Sequence, residues 1–433
     1  MVSLKVLCKS AAFIVGIGVW ASLFGAPIKG FDRSKFLIGA DHLNEAARTE
    51  RHVLEAKECG IDYLIVVWKD CVDLHDWLEK YGMGAVTWDV LPPMWDEKTG
   101  KPLKGESVCA DAVKSWPLHP ATWFINITDE PPVHKYDLCG RIAARLHRVT
   151  PDRTPYLCMF PSYAYGNWDK PEDKRKFLGA DTYEQYIEEF CRRVPLDYIN
   201  FDFYYHAYHI VGAWYENLRL VADACRRTGR SLWVTMQANS PRKDDFVTEN
   251  QLRFQAFSAM AFGAESIIWA CYSPGWWFNN ILDENGNKTV MYDRVKKVNT
   301  EVKRIAEPYM RFRSTQTHFV GFKDAEGFDK VTKTLPVDQV DTGWVRGLKA
   351  MDGAPLLVGE MVSRGGGCER GVFVFASDDP WDKAPKAHEI VFSAFDKDVA
   401  VFGLDGKVCA KPDAVGVYKV SLKSSEAILI CVK

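Results

Sequence analysis

Between residues 36 and 306, short apolar runs alternate with longer segments whose apolar positions recur every three or four residues. The short runs are rich in β-branched and aromatic residues, the composition of strands buried on both faces. There are eight, at 36–40, 63–68, 85–90, 122–128, 155–160, 198–203, 231–236 and 266–272. The longer segments predict amphipathic helices over 43–59, 133–149, 182–193, 213–228 and 249–262, as in the row Ile142, Leu146 and Val149. Gly60, Gly82, Gly229 and Gly263 fall just before the next strand, where helix-ending glycines belong. Eight strand-then-helix units in this length predict an α/β fold, a (β/α)₈ barrel. An open doubly wound sheet is the structural rival, but no glycine-rich phosphate loop follows an early strand. Long loops are expected at 91–114 and 162–180, on the face where the strands end.

After Pro308 the pattern changes to short alternating segments separated by turn signals such as Asp352-Gly353, Gly365-Gly366-Gly367 and Asp405-Gly406. Runs at 344–348, 356–361, 371–376, 388–392, 399–402 and 427–432 predict a C-terminal antiparallel β-sandwich. The expected organisation is a leader over 1–26, a barrel over 27–310 and a sandwich over 311–433. The leader reading rests on Lys5 and Lys9, an uncharged apolar stretch from Ala11 to Phe24, and small residues at Gly25 and Ala26. It predicts export, periplasmic or extracellular, with no stable membrane insertion, because the apolar stretch is short for a span.

Composition narrows the chemistry. A net charge of −2 gives no basic field for nucleic acid or anionic lipid, so neither is an expected partner. The 12 cysteines are scattered without the short spacings of zinc or disulfide frameworks, and most sit among apolar neighbours as small buried hydrophobes. His206 and His209 are three apart but lack a third ligand at suitable spacing, so no metal site and no cofactor are expected. The 15 Trp, 17 Tyr and 24 Phe are an unusual aromatic content, part of it core, and Trp and Tyr at strand ends are also flat platforms for sugar rings.

In a barrel the strand ends face the active site. Read in order, they carry Asp41, Trp68, Trp88-Asp89, Asp129-Glu130, Tyr163, Asp202 with Tyr204 and Tyr205, Gln237 with Asn239, and Tyr272 with Trp276. Carboxylates accept hydrogen bonds from hydroxyls and rings stack on C–H faces, so such a rim suits a polyhydroxylated ligand. Glycoside cleavage needs one carboxyl to protonate the leaving oxygen and a second as nucleophile or base. Glu130 is the expected general acid, since burial beside Asp129 raises the pKa of one of the pair. Either acid could instead cap the helix that begins near Val133. Asp41, Trp88, Asp89, Tyr204, Tyr205, Gln237, Asn239, Tyr272 and Trp276 are the expected substrate contacts.

The run Thr128-Asp129-Glu130-Pro131 resembles the Asn-Glu-Pro acid/base motif of the large clan of (β/α)₈ glycoside hydrolases, with Asp129 in place of Asn. The resemblance implies that Glu130 is the acid/base. That clan carries its nucleophile as a glutamate at the tip of strand seven, where this chain has Trp233-Val234-Thr235-Met236-Gln237-Ala238-Asn239. An amide is a poor nucleophile. The second carboxylate is therefore sought elsewhere, first at Asp202 on strand six, a pairing similar to that of α-galactosidases. The reading is an exported glycoside hydrolase with Glu130, Asp202 and Asp129 as catalytic acids; the alternative is a catalytically degenerate barrel that binds carbohydrate.

Overall fold

The computed structural model describes residues 32–95, 103, 112–113, 118–163, 171–322, 336–395 and 398–433. Eight parallel strands, β1 (Leu37–Asp41), β2 (Tyr63–Trp68), β3 (Gly84–Trp88), β4 (Thr122–Asp129), β5 (Thr154–Cys158), β6 (Tyr198–Phe203), β7 (Ser231–Gln237) and β8 (Ala264–Ala270), form one sheet in the order β5-β4-β3-β2-β1-β8-β7-β6. A parallel bridge between Met159 and Phe201 joins the two ends, and the sheet is a barrel. Around it run α1 (Glu50–Glu58), α2 (Val72–Lys80), α3 (Tyr136–Val149), α4 (Pro171–Leu178), α5 (Tyr183–Arg193), α6 (Val211–Thr228), α7 (Glu249–Ala261) and α8 (Val290–Tyr309). The helix α4 lies inside a stretch expected to be a loop. The leader reading, and most of the loop expected at 91–114, fall outside the described residues.

Aromatic rings fill the lower barrel. Tyr63 lies against Phe124 (5.1 Å between centroids), Phe124 against Trp233 (5.6 Å), and Trp233 stacks on Tyr198 (4.1 Å, 14°). Their polar ends are satisfied: the Tyr198 hydroxyl donates to the Pro155 carbonyl at 2.9 Å, and Tyr156 accepts from the Asn200 amide at 3.0 Å. Rings this large need small neighbours. A methyl group at Gly84 would sit 2.0 Å from Trp123, so Gly84→Ala forces the indole out of its rotamer. We expect that substitution to cost about 3 kcal/mol in chemical denaturation.

The tail begins with β9 (Phe312–Val320). It continues through β10 (Val345–Ala350), β11 (Leu356–Ser363), β12 (Arg370–Ala376), β13 (Ala387–Ala394), β14 (Val399–Gly403), β15 (Gly406–Val408), β16 (Val417–Lys423) and β17 (Ala427–Val432). Six strands pair in the order β15-β14-β17-β12-β11-β9, and three more in the order β10-β13-β16, as two antiparallel sheets. The larger sheet packs on the barrel through Phe254–Phe375, Tyr309–Phe373 and Phe262–Phe319 contacts of 5.5 to 5.9 Å. One apolar core therefore runs from the barrel helices into the first sheet layer. Among the described residues, no helix is long and apolar enough to cross a membrane.

Candidate active site

At the C-terminal ends of the barrel strands opens a cavity of about 1020 Å³. Four carboxylates line it: Asp41 from the end of β1, Asp129 and Glu130 from β4, and Asp202 from β6. Strand register sets their level. Asp41 pairs with Ala270, Asp129 with Cys158, and Asp202 with Thr235, the last residue pair before each strand opens into its loop or one step short of it. Tyr156 and Cys158, both buried, line the cavity beside the acids.

Backbone strain gathers at the same level. His42, Val66, Glu130 and Trp277 all line the cavity with φ between +42° and +69°. For a β-branched residue such as Val66 (φ +59°) this conformation is a true outlier. It sits where the β2–β3 register slips between Leu64 and Val67, a bulge that turns the strand end inward. Glu130 (φ +42°) is held by its amide, which donates to the Cys158 carbonyl at 2.9 Å. The surrounding fold over-determines these conformations, and strain of this kind concentrates at functional sites.

The acids interact. Burial and then the charge of Asp129 push the Asp202 carboxyl up, while the neighbouring side chains of Tyr204 and Glu130 oppose the rise. Asp202 is 8% exposed, and its Oδ1 has no hydrogen-bond partner. Asp41 is pushed up to about 7 by burial and then by Asp129, against a single opposing bond from the His42 amide. Burial pushes Asp129 up to about 6, although cavity water reaches its side chain and tempers the effect. Burial, then Arg48, lowers His42.

The raised Asp41 has a consequence for stability. The unfolded chain ionises this group near pH 4, while the folded chain keeps it protonated to about pH 7. Across that window the folded state holds the extra proton, so stability falls as pH rises and levels off above it. Asp41→Asn is therefore expected to raise Tm by about 2 °C near neutral pH and to leave it unchanged near pH 4. Thermal scans at the two pH values check this.

Rings form the walls. Trp68 and Trp88, on neighbouring strands, meet at 6.1 Å and 65°. Tyr204 makes edge contacts with Trp276 (6.0 Å) and Trp277 (5.4 Å), and Trp276 with His42 (6.0 Å). Of the residues singled out in the sequence, Glu130, Asp202, Asp129, Asp41, Trp88, Tyr204 and Trp276 line the cavity.

Five do not, and each has a physical reason. Gln237 is buried with its carbonyl accepting from the Ala207 amide (3.1 Å) and its NH₂ donating to the Asn239 carbonyl (2.6 Å), so it holds the turn after β6. Asn239 donates to the Trp276 carbonyl (2.8 Å) and to Asn280 (3.1 Å), which fixes the Trp276 loop from behind. Tyr205 is fully buried against Trp214, Phe254 and Trp381. Tyr272 turns outward, its hydroxyl donating to the His52 carbonyl at 2.9 Å. Asp89, at φ +60°, points into solvent rather than into the cavity.

Tyr208, Ile210 and Thr235 line the cavity without having been singled out. Thr235 was legible in principle, two residues before Gln237 on the same face of β7. Tyr208 ends, and Ile210 follows, a one-turn helix, Tyr205–Tyr208, that no periodicity announces. Among the described residues, no group of three or more His, Cys, Asp or Glu is arranged to hold a metal ion.

No protein-family model and no curated protein matches the chain. Among solved structures it is similar to an endo-β-1,4-mannanase from Thermotoga petrophila, at 9% identity over 92% of this chain and 93% of that one, with a TM-score of 0.43. It is similar also to the catalytic domain of a chitinase from Pyrococcus furiosus (12% identity, 62% of this chain, 95% of that one, TM-score 0.42). An endo-1,4-β-xylanase from Caldicellulosiruptor owensensis is a third (11% identity, 62% and 99%, TM-score 0.39). At these values the likeness adds nothing to the reading of the site.

Proposed function

We propose that this chain hydrolyses O-glycosidic bonds, with Glu130 as acid/base and Asp202 as its partner carboxylate. The observation that carries the reading is that Glu130 and Asp202 stand as neighbours in one aromatic-walled cavity at the strand ends. Two such carboxyls supply the two roles that glycoside cleavage requires, a proton donor and a second carboxylate. In the first step Glu130 gives its proton to the leaving oxygen while Asp202 bonds the anomeric carbon. In the second, Glu130 takes a proton from water, the water oxygen bonds that carbon, and Asp202 departs as a carboxylate. No cofactor enters this scheme. Export of the mature chain, from the leader reading, belongs to the same proposal.

Neighbouring carboxyls suit the about 5–5.5 Å separation of retaining enzymes better than the about 6.5–9.5 Å of inverting ones. We therefore expect the first-formed product to keep the anomeric configuration of the substrate. Proton NMR of the initial product, taken before mutarotation, checks this on whichever glycoside a chromogenic panel shows to be cleaved. The same closeness favours a second reading, a barrel that binds carbohydrate and leaves it intact. Its signature would be saccharide binding with no release of reducing ends.

A further inference from the structure

We propose that the half of the cavity over β1 to β4 is a subsite for a protonated amine, so that the saccharide taken carries a free amino group. The inference rests on the glycosidase reading and names its substrate class. The chemistry above uses two carboxyls, Glu130 and Asp202, yet the cavity holds four. Two further acids in the same cavity, Asp41 and Asp129, repel the catalytic pair and each other, a cost that a neutral substrate leaves uncompensated. A cation between them removes it.

The geometry matches that occupant. Around the rim from β1 to β4 stand Asp41, Trp68, Trp88 and Asp129. The two indoles meet at 65°, forming a corner, and the acids flank it. Indole faces set beside carboxylates are the composition that holds ammonium groups, through the ring quadrupole and through charge-assisted hydrogen bonds. Donors are wanted here: Asp41 Oδ1 is buried without a partner, and so is Oδ1 of Asp202, itself 8% exposed, on the adjoining floor. Among the described residues lining the cavity there is no lysine or arginine, and the one basic side chain, His42, is kept neutral by burial. The repulsion between Asp41 and Asp129 that raises Asp41 points the same way.

The test is calorimetric binding at neutral pH of matched tetrasaccharides, amino, N-acetylated and hydroxyl, in gluco and galacto configurations. It uses full-length Glu130→Gln to prevent turnover, with the wild type in the cold as a check on that background. The amino saccharide of one configuration is expected to bind at least about tenfold more tightly than its acetylated and hydroxyl counterparts. Adding Asp41→Asn or, as an independent route, Trp68→Leu is expected to reduce that preference to within about twofold. Neutral saccharides that bind as tightly as the amino form, with hydrolysis intact, would overturn the amine subsite and leave the glycosidase reading standing. A tenfold preference that survives both substitutions would overturn the assignment to this corner. Binding of no saccharide, together with cleavage of no glycoside, would overturn both readings.

Discussion

Glu130→Gln is expected to lower turnover by about a thousandfold or more while leaving the fold and saccharide binding in place. The amide is nearly the same shape, so the backbone at φ +42° and the hydrogen bond that its N–H donates to the Cys158 carbonyl persist. The variant lacks the proton that the leaving oxygen needs and the carboxylate that activates water afterwards. The size of the loss depends on the leaving group. Substrates with acidic phenol leaving groups depart without protonation, so for them bond cleavage stays fast and the second step becomes limiting. A kcat/KM, which reports the first step, that falls steeply for alkyl or sugar leaving groups and little for activated aryl groups marks a general acid. A uniform fall across leaving groups would assign Glu130 another role.

Asp202→Ala is expected to be still more severe, about 10³ to 10⁴-fold, because removing the nucleophile abolishes the covalent route itself. Asp202 is 8% exposed and has Tyr204 and Glu130 as neighbours, so the truncation opens a small polar space beside the Glu130 carboxyl. A small anion such as azide or formate fits such a space. With the acid intact, it is expected to restore turnover on an activated aryl glycoside, and with azide the product is a glycosyl azide of inverted configuration. Rescue of Asp202→Ala without rescue of Asp129→Ala separates the nucleophile from its neighbour. Equal rescue of both would place the second carboxylate at Asp129.

Much of this site was legible in the sequence, for a reason that belongs to barrels. Apolar runs fix where strands stop, and in this fold every strand end meets the same cavity, so Asp41, Trp88, Asp129, Glu130 and Asp202 could be gathered from residues far apart in the chain. What periodicity could not give was which way a side chain turns once its strand has ended. Tyr272 lies two residues past the end of β8 and faces α1; Gln237 is the last residue of β7 and is consumed by the turn after β6. The closeness of Glu130 and Asp202 depends on barrel tilt and on the register slip in β4 between Asn126 and Thr128, neither of which leaves a sequence trace.

The fold was read with similar limits. The strand runs of the barrel were visible because they are apolar on both faces. The helix α4 was not, since Pro171–Leu178 is mostly charged and shows no apolar stripe. The strand β9 is at the edge of its sheet and carries Arg313, Ser314, Thr315, Gln316 and Thr317 in succession, so its composition resembles a loop. In β16 exposed lysines alternate with buried residues, a half-buried signal weaker than a continuous apolar run.

The most direct measurement is release of new reducing ends from a broad glycan panel by the purified wild type, read in parallel with Glu130→Gln at equal concentration. The account predicts release from at least one glycan by the wild type and about a thousandfold less by the variant. Release by neither protein from a glycan that both bind, or equal release by the two, would contradict it.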